Sequence, residues 1–524
     1  MANLPAVGGA SELTALGAGD LARGIAARRF SSTEVVSAFI DRQNEVQPRL
    51  NAVAVALHDQ AVAAAKAADR SRPQDGQKLY GVPVTVKECF DVVGTATTAG
   101  LVGRAADLKS DDAELVSRLR NAGAIITAKS NLAQLELFVE SDNPLYGRTN
   151  NPWDLARTPG GSSGGEAALV AASATPLGLG TDIGGSVRVP AHFCGVCGLR
   201  ATPGKLSLAG TADQMLFGHI VGVPDAAGPI ARTVADLRLA MEVLAAPVAE
   251  AHVDGLVIGL YDDDGFMPAS AAVRRAVRQA GQVLEDAGAR VVPFEPPAVL
   301  EALDIFYGLF TADGAAAYEK LIAGEQLDTR IRQLMQLGTV SGWLRPVLGV
   351  GLTAAGQRRL SHLIRHTGVL SQERLRVLID RRDAYVNRFE AAMRQARVDV
   401  LLCPPNALPA LKHGASADLG PASVSYTALY ALLGWPAGVV PVTTVRPGEM
   451  DRRPRGGDMM DRAARRTDQG SAGLPVGVHV AARPDREDLI LAVMAAVEGA
   501  LSGSVDYPRV PPAIQAGLSS RDAG

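Results

Sequence analysis

Apolar positions recur at helical spacing from Val35 onward: Val35, Val36, Phe39 and Ile40 fall on one face. Ahead of them Ser31 and Glu34 have the spacing of a capping box. The pattern predicts a helix from Ser31 to about Val46, ended by Pro48. Residues 52–57 and 61–68 read as further helix. The period then changes. Residues 82–86, between Gly81 and Lys87, and residues 124–128 are short apolar runs that predict buried strands. Residues 256–261, 270–287 and 290–294 read as strand, helix and strand, with Gly288 at the helix end. Such a unit pairs its strands in parallel through a right-handed crossover. Residues 398–403 and 474–480 predict later core strands, and 487–501 a C-terminal helix. Strands and helices interleave along the chain, so the fold class is α/β, with a central sheet flanked by helices. Candidate linkers are 70–77, 245–254 and the charged run 446–473. The last reads as a solvated loop, with an ionic contact surface as the other reading.

Composition narrows the function classes. The chain has 524 residues, 47% of them hydrophobic, enough for a large buried core and too many for disorder. Its 52 basic and 55 acidic residues nearly cancel, which argues against a nucleic-acid partner, since that needs a basic footprint. Only four cysteines occur (Cys89, Cys194, Cys197 and Cys403), so no disulfide framework is expected and a reducing compartment fits. The first residues show no basic region followed by an apolar core. The apolar stretches 167–180 and 425–445 are interrupted by Pro, Gly or polar residues. A cytoplasmic location is therefore expected.

The candidate chemistry lies in the Gly-rich middle. Residues 158–166 read Thr-Pro-Gly-Gly-Ser-Ser-Gly-Gly-Glu, and residues 180–190 read Gly-Thr-Asp-Ile-Gly-Gly-Ser-Val-Arg-Val-Pro. Consecutive N–H groups in such turns can converge on one oxygen, and a serine at the end of one is placed to attack a carbonyl. Gly160-x-Ser162-x-Gly164 mimics a nucleophile elbow, but residues 151–159 before it are loop-like and no strand leads in. His192, six residues past Ser186, reads as a satisfied structural histidine rather than a triad base. Cys194-x-x-Cys197 has no second pair to complete a zinc site and reads as packing, as does Cys89. Lys129 reads as structural or exposed.

Three motifs occur in order: Gly81-Val-Pro-Val-Thr-Val-Lys87-Glu-Cys-Phe, Gly160-Gly-Ser162-Ser163-Gly-Gly-Glu166 and Gly180-Thr-Asp-Ile-Gly-Gly-Ser186-Val-Arg188. They are 75 residues apart from Lys87 to Ser162 and 24 from Ser162 to Ser186. Together they resemble the amidase signature family, and the resemblance runs from near Ser31 to near Leu489. It implies a central twisted mixed sheet flanked by helices and a Ser–Ser–Lys triad: Ser186 as nucleophile, Ser162 as bridging serine, Lys87 as base. It also implies a cis Gly161–Ser162 bond and an oxyanion hole from the N–H groups of Ile183, Gly184, Gly185 and Ser186. Ser163, Asp182 and Arg188 match supporting positions. No metal or other cofactor is implied. Lysine is a base only when neutral, so action near pH 7–8 requires its pKa to fall by roughly 3 units. Burial at the end of the 82–86 run is expected to lower it.

Substrate class is carried by the C-terminal third. Ser425-Tyr426-Thr427 through Tyr430, then Trp435 to Val445, looks like the fatty acid amide hydrolase-like branch of that family. The expected activity is hydrolysis of C–N bonds in amides with an apolar acyl group, through an acyl-Ser186 intermediate, with ester and carbamate (urethane) hydrolysis as further activities. The alternatives are an amidotransferase A-type subunit releasing ammonia within a complex, or an aryl-acylamidase acting on small amides. The segment around Trp343 to Leu352 reads as core helix, as a lid over an acyl channel, or as a peripheral membrane contact. The expected partner is a small-molecule amide or ester, and a homodimer follows by analogy with the branch. The expected organisation is an N-terminal helical region (1–70), a core with the triad (71–245), and a C-terminal α/β part (246–500). That last part holds a lid at about 325–370 and the charged loop; a tail follows (501–524).

Overall fold

The computed structural model describes residues 9–314, 316–338, 344–453 and 456–515. Eleven strands form one mixed sheet. Across it they run Val53–Ala56, Ile125–Ser130, Pro83–Lys87, Leu177–Thr181, Ala227–Ala231, Cys197–Arg200, Ala437–Thr444, Pro475–Ala482, Val400–Cys403, Val257–Leu260 and Arg290–Pro293. Pro83–Lys87 is parallel to both neighbours, and so is Val257–Leu260. The other pairs are antiparallel. Helices cover both sides, so the middle strands are buried along their whole length and read as unbroken apolar runs.

Local sequence explains the elements that position the site. The capping box at Ser31 forms: its Oγ accepts the Glu34 N–H at 3.1 Å, and its own N–H donates to Glu34 at 2.7 Å. The helix, Ser32–Leu50, continues past Pro48, where a stop was expected. Proline removes one hydrogen bond, and the burial of Val46 and Leu50 against Ala168 and Leu169 holds the last turn. Asn51, in a left-handed conformation, ends it.

Three expectations from pattern need correction. Residues 52–57 are not helix, because Val53–Ala56 pairs with the edge of Ile125–Ser130. The Gln47 side chain takes the N–H groups of Ala52 and Val53 (3.0 and 2.9 Å), which turns the chain into the sheet. The run 446–473 is not a solvated loop. It contains helix Met459–Asp468, capped by Asp458, with Met460, Ala463 and Ala464 buried. Its charges find partners within the fold: Arg453 with Asp468 at 2.6 Å, and Asp458 and Asp461 with Arg359 at 2.7 and 2.8 Å. The segment after residue 343 is helix Leu344–Ala354, and it is not core: Val347 and Val350 are over 60% exposed. Trp343 lies outside the described residues. Among the described residues, no helix is long and apolar enough to cross a membrane.

Candidate active site

Lys87 and Thr181 are the last residues of adjacent parallel strands, so their side chains emerge together at one edge of the buried sheet. Ser162 reaches the same point from the loop before helix Gly164–Ala171, after a cis Gly161–Ser162 bond. A Cβ on Gly161 would stand 2.7 Å from the backbone N of Glu140, so only glycine lets this loop lie so close to its neighbour. The second loop, 182–187, is tied to the first by the Ser163 N–H donating to the Ser186 carbonyl at 3.1 Å. Gly185 has φ +135°, and a side chain there would strike Thr427.

Lys87 is fully buried. Its Nζ donates to Ser162 Oγ and Thr181 Oγ1, both at 2.7 Å, and to the carboxylate of Glu136. The expected fall in its pKa does not occur. Burial pushes toward the neutral amine, but the Glu136 carboxylate outweighs it, aided by Cys89 and Asp213, and holds the ammonium above its ordinary value. For Glu136, burial, and then the Asp213 carboxylate, push the pKa up to about 8 against the pull of Lys87. Its Oε2 also accepts from Thr181 Oγ1 at 3.0 Å, while its Oε1 is buried with no hydrogen-bond partner.

Ser186 Oγ makes no hydrogen bond among the described residues and faces a cavity of about 420 Å³. Among the described residues, the N–H groups of Ile183, Gly184 and Ser186 likewise donate no hydrogen bond. The fourth expected donor is not free: the Gly185 N–H is bound to Asp182 Oδ1 at 2.7 Å. Asp182 also accepts from the N–H groups of Val187 and Arg188 and from both Nε and Nη2 of Arg188. Burial would raise its pKa, but Arg188, Arg200 and these donors hold the carboxyl well below its usual range. Arg188 in turn donates to the Thr427 carbonyl at 3.0 Å. Ser163 lies beneath the loop, its Oγ donating to Thr181 O at 3.3 Å. The cluster is a rigid scaffold under the 182–187 turn.

Away from its polar end the cavity is apolar, walled by Phe138, Phe306, Tyr307, Phe310, Leu334, Leu360, Leu363 and Ile364, with Leu348 from helix Leu344–Ala354. Arg330 also lines it, but is committed to Glu140, Asp142 and Asp328 at 2.7–3.2 Å.

The Amidase family model matches residues 34–491. The chain belongs to the Amidase family. It is 36% identical over 443 residues to fatty-acid amide hydrolase 1 of Sus scrofa, covering 80% of this chain and 75% of that one. It is 33% identical over 463 residues to the A-type subunit of the glutamyl-tRNA(Gln) amidotransferase of Chromohalobacter salexigens, covering 83% and 91%. Among solved structures, a fatty acid amide hydrolase superposes with TM-score 0.82 at 24% identity, covering 95% of this chain and 87% of that one. The fold is the amidase signature fold, and the protein is an amidohydrolase.

Within this amidase, the other residues weighed from sequence fall away from the chemistry. His192 is buried and neutral, its Nε2 donating to Leu408 O and its Nδ1 accepting from Gly477 N–H; burial pushes its pKa down to about 4. Lys129 is buried and holds Ala96 O and Thr97. Cys194 and Cys197 are buried free thiols, raised by burial. Cys89 lies nearer, 3.8 Å from Thr181 Oγ1. Sequence reasoning missed Glu136. The signal was a carboxylate inside the apolar run 135–139; the fold then sets Leu135, Glu136 and Phe138 at positive φ. Among the described residues, two groups have ligand atoms close enough for a metal ion. One is Cys89, Glu136 and Asp213, where the Lys87 ammonium already stands; the other is Asp304, His362 and His366, none of which lines the cavity that Ser186 faces.

Proposed function

We propose that this amidase hydrolyses amides with an apolar acyl group through an acyl-Ser186 intermediate. The observation that carries the reading is the Lys87–Ser162 hydrogen bond, in a loop tied by the Ser163 N–H to the Ser186 carbonyl, with Ser186 itself unbonded among the described residues and lining a largely apolar cavity. Once Glu136 is ionised, as pH rises through about 8, the pair is an ammonium and a carboxylate, and that ammonium accepts no proton. Transfer of one proton to Glu136 gives the neutral amine. Ser186 Oγ attacks the acyl carbon, Ser162 takes its proton, and Lys87 takes that of Ser162. The pair then carries one positive charge opposite the new oxyanion, which the N–H groups of Ile183, Gly184 and Ser186 receive. Each of these is worth about 3–4 kcal/mol of barrier. The proton returns through Ser162 to the leaving nitrogen. Water repeats the sequence to release the acid. Esters and carbamates fit the same route.

The test is kcat/KM on acyl p-nitroanilides of increasing chain length, with Ser186→Ala as control. A buried methylene adds up to about 0.8 kcal/mol, nearly fourfold. A steady rise toward long chains is expected. An optimum at acetyl or aryl-acyl groups would replace this reading with that of a small-amide or aryl-acylamide hydrolase. The amidotransferase relative supports a second reading, in which the chain releases ammonia within a complex. Glutamine hydrolysis above anilide hydrolysis would favour it.

A further inference from the structure

Helix Arg358–His366 carries two histidines one turn apart, His362 and His366, with ring centroids 4.6 Å apart. Asp304, on helix Val299–Phe310, faces both. Its Oδ1 lies 2.5 Å from His362 Nε2 and 3.3 Å from His366 Nδ1. His366 Nδ1 donates to the His362 carbonyl at 2.9 Å, so its own helix fixes the ring and leaves Nε2 as the nitrogen that can bind a metal. One ligand atom from each of the three residues lies within 4.8 Å of the others. Two imidazoles at positions i and i+4, with a carboxylate from the facing helix, make the three-ligand nitrogen and oxygen set of open zinc-class sites.

Access and selectivity point the same way. Asp304 and His366 line a cleft of about 740 Å³ of whose lining Ser186 is no part, so an aqueous ion reaches them. Arg345, Arg365, Arg374 and Arg381 line the cleft too and outnumber Asp313 and Glu319. Their charge opposes a hard cation held by electrostatics alone and favours one held by imidazole bonds. The two helices are also walls of the reactive cavity: Leu363 and Ile364 project into it from one, Phe306 and Phe310 from the other.

We propose that Asp304, His362 and His366 bind one zinc-class divalent ion, which pins helix Arg358–His366 to helix Val299–Phe310 from outside the reactive cavity. None of the three ligands lines the cavity that Ser186 faces, so the site stands or falls independently of the acyl-enzyme reading.

The test titrates the metal-stripped full chain with Zn²⁺ by calorimetry at pH 7.5, and with Co²⁺ by visible absorption. One ion per chain is expected, with Mg²⁺ unable to compete. His366→Gln and Asp304→Asn should each weaken Zn²⁺ binding at least about tenfold and abolish the Zn²⁺-induced rise in Tm. His366 is exposed, so its variant should fold; an unchanged circular dichroism spectrum and unchanged metal-free hydrolysis check this for both variants. Sub-stoichiometric binding by the wild type, or equal affinity in the wild type and both folded variants, would overturn the proposal.

Discussion

Two buried ion pairs lie on either side of the same turn, and they are built to opposite ends. Asp182 receives five N–H donors and faces Arg188, so its carboxylate stays ionised. Glu136 receives two, from Lys87 and Thr181, and one of its oxygens has none. Burial costs both carboxylates equally in kind. A saturated carboxylate becomes scaffold, whereas one left short of donors stays near its titration point and can exchange a proton. Both have a counter-charge, but Asp182 faces two guanidiniums, Arg188 and Arg200, whereas Glu136 has one ammonium and a second carboxylate, Asp213, acting against it.

The largest expected effect removes the cation from the under-satisfied pair. Lys87→Met should lower kcat/KM by about 10⁴-fold, the upper range for a general base. Its stability should change little, because Glu136 then takes up a proton in place of its partner. A large loss of stability with retained turnover would reverse the assignment. Asp182→Ala should do the opposite. It leaves Arg188 and Arg200 buried without their carboxylate and should cost about 3–5 kcal/mol in denaturant unfolding. A wild-type unfolding curve would show that the scaffold does not rest on it.

Next is Glu136→Gln, which should reduce kcat/KM about 10²-fold at pH 8. In the wild type, the doubly protonated pair is inactive and loses a proton as pH rises through about 8, so activity should climb there. The variant should lack that limb, and an unaltered pH profile would remove Glu136 from the proton path.

The smallest effect is at Glu166, a buried carboxyl pushed up to about 8 by burial and bonded to Thr85 at 2.6 Å. A raised folded-state pKa means stability that is complete below the unfolded value of about 4.5 and declines as pH rises toward about 8. Between pH 6 and pH 8 the wild type should lose about 2 kcal/mol more than Glu166→Gln. Equal slopes would place the group elsewhere on the titration scale.

Much of the architecture was legible along the chain. The capping box at Ser31, the parallel strands Val257–Leu260 and Arg290–Pro293, and the helix Glu487–Leu501 each carry a local signal that their environment reinforces. Val53–Ala56 was not legible, because its strand exists only by pairing with Ile125–Ser130. Helix Met459–Asp468 was hidden by charges whose partners lie up to about a hundred residues away. The lysine, the two serines and the turn donors carried motifs, so their positions could be named. The state of the lysine could not.

By itself, the sequence put a lysine and two serines on three ordered motifs, and the resemblance of those motifs to the amidase signature family named them as candidate base, bridge and nucleophile. Tertiary structure alone decided that Glu136 stands against Lys87, that the Gly185 N–H is committed to Asp182, and that Leu363 and Phe306 close one cavity. Charge state and cavity shape depend on which groups meet across distant segments, and desolvation acts only once those segments have folded together.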